Sequence, residues 1–458
     1  MEMVESSLAA HGFKMPKAAH QNLLSLAREN TIFLSSRRCR HFLAAIARPL
    51  LLEISKTPDP DATLTSLSSV ADSVGAKGVL WELFSTLPPT VQLFVRLCAS
   101  SDYLCSILRR NPGMIDELID SLVMEKLPTI EWLREHLVEL IGGSEDFEPI
   151  LHGFKNVFHL RVGIRDILGR DKIRETHRAL ADIAQVTIES VVQHEFAASS
   201  KKYAVDTVAA ARNQLVILAL GKLGGREPNY HSDLDVVFLY QSGTTEWTTT
   251  DQHFYSDLAA RVSKKISLQG RHGKLYEIDS RLRPTGKSGA LAVSFAEFAR
   301  YFEGDQGQLW ERQALCKARP IFGTAELCEQ AMQLVRSATT GKSWNDEMAG
   351  LVSDMRMRMQ ENSNPRNLKR GVGGTVDCEF AVQMLQIKFA KSNPEVLVPG
   401  TLKAISMLEK AGVLEAEDAQ QLAGNYEFLR GIEARFRLMN TAATVSYTHL
   451  TLPTKRIV

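Results

Sequence analysis

Two aspartates stand two residues apart just after a glycine-rich turn, and this spacing suits metal-assisted chemistry. Asp233 and Asp235 follow the run Gly221-Lys-Leu-Gly-Gly225 and begin an apolar stretch that ends at Tyr240. Side chains alternate across a strand, so both carboxylates project from one face and repel each other unless a cation lies between them. Magnesium prefers such hard oxygen ligands and shares its shell with substrate phosphates. A bare Asp-x-Asp is also common in surface turns with an Asx cap, and that alternative stays open for the pair taken alone.

A third carboxylate lies in the segment 274–283, which we predict to be a strand. A two-metal site needs ligands for two ions about 3.5–4 Å apart, and Asp279 can supply one of them. The same alternation puts Glu277, Arg281 and Arg283 on the face of Asp279. Either arginine could neutralise a phosphate chain through the paired hydrogen bonds that guanidinium groups favour. The competing interpretation is a salt-bridge ladder on a solvated face.

The sequence patterns of the surrounding segments predict an α+β protein, in which a small sheet between helical regions positions these residues. The glycine-rich turn from Gly221 to Gly225 allows the backbone to approach a phosphate closely. An amphipathic helix is predicted at 251–268, and a capping box of Ser294 and Glu297 begins the next helix. The segments before about residue 200 and after 294 have helical periodicity. Four strands are predicted, at residues 214–220, 233–240, 274–283 and 290–293.

Composition and charge narrow the class of protein. The 458 residues carry a formal net charge of +1, so nothing argues for nucleic acid or an anionic membrane as the main partner. The six cysteines have neither Cys-x-x-Cys nor zinc-type spacing, which favours a reducing compartment. No apolar run reaches the roughly 18 to 20 residues of a membrane span, and no signal-peptide pattern begins the chain. We therefore expect a cytoplasmic protein.

Several long motifs in a fixed order resemble the glutamine synthetase adenylyltransferase family. They are Gly-Lys-Leu-Gly-Gly-x-Glu with Ser-Asp-x-Asp at 221–235, Tyr-Glu-Ile-Asp-x-Arg-Leu-Arg-Pro at 276–284 and Trp-Glu-Arg-Gln-Ala-Leu-x-Lys-Ala-Arg at 310–319. Further matches lie at 161–169 and 373–383. The resemblance implies a polymerase-β-like nucleotidyltransferase core with a small mixed sheet, flanked by helical regions.

The same resemblance implies ligands and partners. Asp233 and Asp235 would bind two magnesium ions, with Asp279 as the third acidic ligand and a possible acceptor of a tyrosine proton. ATP would be the substrate, a tyrosine of glutamine synthetase the AMP acceptor, and a nitrogen-signalling regulatory protein a further partner. The residues implied to lie near the triphosphate are Lys222, Gly224, Gly225 and Ser232.

Members of this family carry two similar catalytic halves, and the chain contains one of them. One half adenylylates glutamine synthetase and the other removes the AMP by phosphorolysis. Glu277, the Gln-Ala-Leu at 313–315 and the Asp-x-Glu-Phe at 377–380 favour the C-terminal, adenylylating half, whereas 288–294 resembles the deadenylylating half. A third alternative is a non-catalytic fragment that only binds glutamine synthetase or a nitrogen regulatory protein.

The resemblance also sets the predicted domain boundaries. We expect a helical lead-in at 1–140, a nucleotidyltransferase domain at 141–325 and a C-terminal helical domain at 326–444 whose native form was longer. Residues 445–458 break the preceding helical pattern and resemble the translation of a sequencing-adapter read-through, so we expect a non-native tail there.

Overall fold

A computed structural model groups the chain into two compact units. One unit contains Met1–Pro128, Gly153–Thr176 and Arg435–Thr441, and the other contains Thr129–His152 and His177–Ala434. The tail expected at 445–458 lies outside the described residues. Those are residues 2–30, 34–117, 120, 125–143, 146–199, 205–242, 251–271, 273–304, 306–361, 363–364 and 366–440.

The part of the chain before the sheet is helical, as the sequence predicts. Prolines begin several helices, because a proline in the first turn removes no helical hydrogen bond. Side-chain oxygens of Ser35, Asp59, Ser101 and Thr129 accept hydrogen bonds from the backbone at helix starts. The helices are α1 (Glu2–Ala10), α2 (Pro16–Leu26), α3 (Ser36–Ser55), α4 (Pro60–Val74), α5 (Lys77–Thr86), α6 (Pro88–Ser100), α7 (Asp102–Arg110), α8 (Ile130–Gly142), α9 (Phe147–Ile167), α10 (Ile173–Ser199) and α11 (Val205–Arg212).

Of the helices described, no single one is long and apolar enough to cross a membrane. The consecutive helices α6 and α7 reach that length and composition only together, and they are bent by 112°.

A small mixed sheet forms the centre of the second unit. Strand β1 (Leu215–Ala219) pairs antiparallel with β2 (Leu234–Tyr240) and with β5 (Arg319–Phe322). The other edge of β2 pairs in parallel with β3 (Ile278–Asp279) at its start and with β4 (Ala292–Ser294) at its end. Strand β1 is buried along its whole length, as expected for an apolar run between two neighbouring strands. The sheet brings the start of β2 beside the end of β1.

Helices cover the sheet and continue after it. The helix predicted at 251–268 is observed as Asp251–Ser267, and the predicted capping box of Ser294 and Glu297 is formed. Phe298 and Phe302 pack with Val216 and Leu239 in the core on one face of the sheet. The helices are α12 (Gly221–Gly224), α13 (Asp251–Ser267), α14 (Phe295–Glu303), α15 (Leu309–Leu315), α16 (Ala325–Thr340), α17 (Asp346–Glu361), α18 (Thr375–Phe389), α19 (Thr401–Lys410) and α20 (Ala416–Leu438).

The structure corrects two of the sequence-based expectations for the sheet. The strand predicted at 274–283 is observed only at Ile278–Asp279, because the chain turns where Arg281 donates its backbone N–H to Asp279. The predicted alternation therefore does not continue to Arg281 and Arg283. The sheet also extends beyond residue 294 through β5, whose Arg-Pro-Ile-Phe sequence lacks a clear alternation.

Candidate active site

Three aspartates meet where strands β2 and β3 begin to pair. Asp235 lies directly beside Asp279 in the parallel register, and Asp233 stands just before β2 with its side chain exposed. The backbone carbonyl of Asp235 accepts a 2.9 Å hydrogen bond from the N–H of Leu220 at the end of β1. The carboxylates predicted from two separate motifs therefore share one site at the edge of the glycine-rich turn.

The crowding of these carboxylates changes the acidity of Asp235. Burial, together with the negative charges of Asp279 and Asp233, raises the pKa of Asp235 to about 6. A carboxylate held among like charges gains free energy when a cation binds beside it. The site therefore has the electrostatic character of a cation site.

Asp279 is paired with an arginine. Arg281 donates to both carboxylate oxygens of Asp279, with Nε at 2.9 and 2.8 Å. These hydrogen bonds hold the pKa of Asp279 below its usual range. Within the described residues, no group of three histidine, cysteine, aspartate or glutamate side chains stands ready to hold a metal ion. Both oxygens of Asp279 accept hydrogen bonds from Arg281 instead.

Glycines of the turn are required by close contacts inside the protein. A Cβ on Gly221, whose φ is +51°, would lie 2.2 Å from Oδ2 of Asp235. A Cβ on Gly224 would lie 1.9 Å from the carbonyl oxygen of Lys317, and one on Gly225 would lie 3.0 Å from that of Pro399. Gly221 thus leaves room for the Asp235 carboxylate, while Gly224 and Gly225 allow neighbouring backbone to pack against the turn.

The side chains of Lys222 and Ser232, in the motif at 221–235, form hydrogen bonds to other residues of the protein. The ammonium of Lys222 donates a 2.7 Å hydrogen bond to Glu433 on α20. Burial lowers the pKa of Lys222 to about 8. The hydroxyl of Ser232 accepts a 2.8 Å hydrogen bond from the backbone N–H of Asn229 and closes the turn before β2. In this structure neither side chain is available for a phosphate without rearrangement.

The two predicted phosphate-binding arginines differ in exposure. The side chain of Arg281 is 63% exposed. Arg283 is buried and donates to the carbonyl oxygens of Ser280 at 2.6 Å and Ala290 at 2.9 Å. Its guanidinium therefore ties together the loop between β3 and β4. Of the two, only Arg281 presents its guanidinium to solvent.

A buried polar network anchors the end of the glycine motif to the C-terminal helices. The carboxylate of Glu227 accepts hydrogen bonds from Lys317 at 2.9 Å, from Tyr426 at 3.1 Å and from both the backbone N–H and the hydroxyl of Thr401 at 2.6 and 3.0 Å. Tyr426 also donates to Glu379 of α18 at 2.9 Å. Glu227 is not among the site residues predicted from the sequence, although it belongs to the Gly-Lys-Leu-Gly-Gly-x-Glu motif.

The network continues through α20 back to the glycine turn. Arg430 donates to Glu433 at 2.5 Å and also to the backbone carbonyl of Glu227. Burial opposes the charge on Glu433, but Arg430 and Lys222 hold its pKa well below its usual range. Buried ions of this kind are tolerated only when each has a partner. The position of Lys222 therefore depends on α20.

Lys369 is a further residue near the site that sequence analysis missed. The pKa of Asp235 is raised by burial and by its acidic neighbours, and Lys369 is the strongest of the positive charges that offset this rise. The charge of Lys369 also acts on Lys222 and Glu433. Its ammonium has no hydrogen-bond or ion-pair partner among the residues that the structure describes. The sequence feature that could have indicated Lys369 is the run Asn367-Leu-Lys-Arg, which stands directly before the glycine-rich segment 371–374.

Comparison with known proteins gives consistent results over most of the chain. Residues 91–334 match the model of the family described as glutamate-ammonia ligase adenylyltransferase. Residues 346–447 match the model described as GlnD PII-uridylyltransferase.

Curated relatives include proteins named bifunctional glutamine synthetase adenylyltransferase/adenylyl-removing enzyme. The chain is 31% identical to that of Thioalkalivibrio sulfidiphilus over 87% of this chain and 43% of the relative. It is 28% identical to that of Shewanella oneidensis over 92% of this chain and 46% of the relative, and 29% identical to that of Idiomarina loihiensis over 94% and 47%. The chain thus spans less than half the length of these curated relatives.

Proposed function

Since this chain belongs to the glutamate-ammonia ligase adenylyltransferase family, we propose that it transfers AMP from ATP to a tyrosine hydroxyl of glutamine synthetase. The observation that carries the proposal is the register of β2 and β3, which sets Asp235 beside Asp279 with Asp233 at the exposed edge. The names of the curated relatives support glutamine synthetase as the protein substrate. A nitrogen-signalling regulatory protein is proposed as a second partner, supported by the similarity of residues 346–447 to a PII-uridylyltransferase family.

Magnesium is the cofactor that the carboxylate cluster fits. The raised pKa of Asp235, caused by burial and by its two acidic neighbours, is the mark of a cluster that gains from a bound cation. Asp233 and Asp235 would hold the ions, and Asp279 would join them when Arg281 releases it. Bound magnesium supplies charge neutralisation at the phosphates, worth several kcal/mol in phosphoryl chemistry.

The residues of the chain bind and orient the reactants. We propose that Arg281, with its exposed guanidinium, and Lys369, whose ammonium has no partner among the described residues, bind the triphosphate. In the transfer the tyrosine oxygen bonds to the α-phosphorus as the bond between that phosphorus and the bridging oxygen to the β-phosphate breaks, and pyrophosphate leaves. Asp279 is a weak base while Arg281 holds its pKa low, so we assign it to cation binding and the phenolic proton to solvent.

The direction of AMP transfer is tested by the nucleotide products. Adenylylation releases pyrophosphate from ATP in the presence of unmodified glutamine synthetase, and this is the result we expect. Formation of ADP from phosphate and adenylylated glutamine synthetase, without pyrophosphate release in the first reaction, would instead identify the phosphorolytic half.

Replacing Lys369 with methionine is expected to raise the KM for ATP about tenfold to a hundredfold. The loss corresponds to one charge-assisted hydrogen bond, worth roughly 1.5–3 kcal/mol. Steady-state kinetics with varied ATP measure the effect. The exposed Lys410 of α19 is the matched control, and Lys410→Met should leave the KM within about twofold of wild type. An unchanged KM in Lys369→Met would remove Lys369 from the proposed triphosphate site.

The affinity for divalent metal is expected to fall as the pH drops below about 6. The pKa of Asp235 is raised to about 6 by burial and by its acidic neighbours, so protons compete with the metal below that pH. Each further pH unit should weaken binding about tenfold, with little change above pH 7. Calorimetric titration with Mg²⁺ between pH 5 and 8 measures this, and Asp235→Asn should lack the slope. A flat profile in the unmodified protein would argue against Asp235 as a ligand.

A further inference from the structure

An apolar groove lies beside the loop that carries Lys369. The groove has a volume of about 520 Å³ and is formed by α15, α17 and Arg370. Its floor contains Leu351, Met355 and Met359, which recur every four residues and so share one face of α17. The indole of Trp310 on α15 forms part of the opposite wall.

Large apolar side chains in this groove are open to solvent. Trp310 is 41% exposed and Leu351 is 48% exposed. Apolar side chains left together on a surface mark a contact site more often than single scattered ones do. Tryptophan, methionine and arginine are also the residue types enriched where proteins bind each other, and methionine adapts its shape to a partner.

The charged residues that line the groove are of one sign. Arg358 and Arg370 are both exposed, and none of the residues lining the cavity in the described part of the chain is acidic. The guanidinium of Arg370 has no hydrogen-bond or ion-pair partner among those residues. A second copy of this chain would bring the same two arginines to the interface and repel. The groove therefore favours an amphipathic segment that carries acidic side chains.

We propose that this groove docks an acidic, amphipathic surface segment of the protein substrate beside the reacting groups. The inference rests on the proposed function and adds the surface that recognises its protein substrate. Arg370 lines the groove and follows Lys369 directly in the chain, so the occupant of the groove lies close to the residue proposed to bind the triphosphate. Apolar side chains of the segment fill the face of α17, and its carboxylates pair with Arg358 and Arg370.

Two surface variants and two matched controls test the groove. Leu351→Asp places a charge on its apolar floor, and Arg370→Glu reverses the charge of its rim. The controls are Leu52→Asp and Arg40→Glu, both on α3. Leu52 is 50% exposed, and Arg40 is exposed and, within the described part of the chain, bonds only to the carbonyl of Ser36. The probe is purified unmodified glutamine synthetase immobilised on a sensor surface, so that its binding is measured without catalysis. ATP binding with magnesium is measured on the same samples.

We expect each groove variant to weaken binding of glutamine synthetase by about tenfold or more, as truncation of a central contact does. Both control variants should bind it as wild type does, and all four should bind ATP within about twofold of wild type. Unchanged binding of glutamine synthetase in both groove variants would overturn the docking role, as would absence of binding in the wild type. An equal loss of ATP binding would also overturn it, since the groove would then act through the nucleotide site. If glutamine synthetase binds as predicted but receives no AMP, the proposed function is contradicted while the docking role of the groove remains supported.

Discussion

Replacing Asp235 with asparagine is expected to lower the rate of AMP transfer by about 10³-fold or more while the protein stays folded. The carboxylate lies in register with Asp279 and is partly buried between the strands, so its loss removes a central cation ligand. Cation charge at a phosphoryl group contributes several kcal/mol to the transition state, and each 1.36 kcal/mol is a factor of about ten. Single-turnover transfer from ATP measures the effect without the complication of product release.

The same variant is expected to be more stable than the metal-free wild type. The folded-state pKa of Asp235 is raised to about 6, so its ionised form opposes folding and stability falls as the pH rises from about 4 to above 6. Near pH 8 the neutral asparagine removes this penalty of roughly 1–3 kcal/mol, and the thermal midpoint should rise by a few degrees. Asp354→Asn on the exposed face of α17 is the control and should change neither quantity. An Asp235→Asn protein with full activity would show that the cluster is not the catalytic site.

Replacing Glu227 with alanine is expected to destabilise the unit that contains the sheet by about 3–5 kcal/mol. The ammonium of Lys317, only 5% exposed, would keep Glu379 at 3.4 Å as its remaining acidic neighbour in the described structure. Tyr426 and Thr401 would each lose an acceptor as well. Removing one partner of a buried ion pair leaves the other charge with weaker compensation, and this together with the lost hydrogen bonds accounts for the size of the effect. The thermal midpoint should drop by roughly 10 °C.

A second replacement separates the buried charge from loss of packing. Changing Lys317 to methionine in the Glu227→Ala protein removes the stranded ammonium and should recover part of the lost stability, because removing both partners costs less than removing one. Glu417→Ala, at an exposed position of α20, should leave the midpoint within about a degree of wild type. If Glu227→Ala itself unfolds at the wild-type temperature, the network does not hold the glycine motif to the helices.

Local patterns were sufficient to predict the α+β class and the strands β1 and β2. Short apolar runs on either side of a glycine-rich segment indicate two buried strands, and the glycine-rich segment indicates their connection. Alternation along β2, together with the separate motif at 276–284, also indicated that Asp235 and Asp279 belong together. The short strand β5 was missed because its packing against β1 outweighs its weak local pattern.

The bonding of individual site residues could not be predicted because it depends on distant parts of the chain. Lys222 is held by Glu433, which lies 211 positions later. Gly224 and Gly225 are needed for contacts with the carbonyls of Lys317 and Pro399, and nothing in a glycine run indicates which group will approach it. The contact of Arg281 with Asp279 arises from a turn that ends the strand early. Local periodicity contains none of this information.

The most direct measurement follows the α-phosphate of ATP. The chain is incubated with Mg²⁺, unmodified glutamine synthetase and ATP labelled at the α-phosphorus, and in parallel with ATP labelled at the γ-phosphorus. The account predicts that the α label appears on a tyrosine of glutamine synthetase, that the γ label leaves with pyrophosphate, and that Asp233→Asn with Asp235→Asn abolishes the transfer. Absence of the α label from glutamine synthetase, or equal labelling by the double variant, would contradict it.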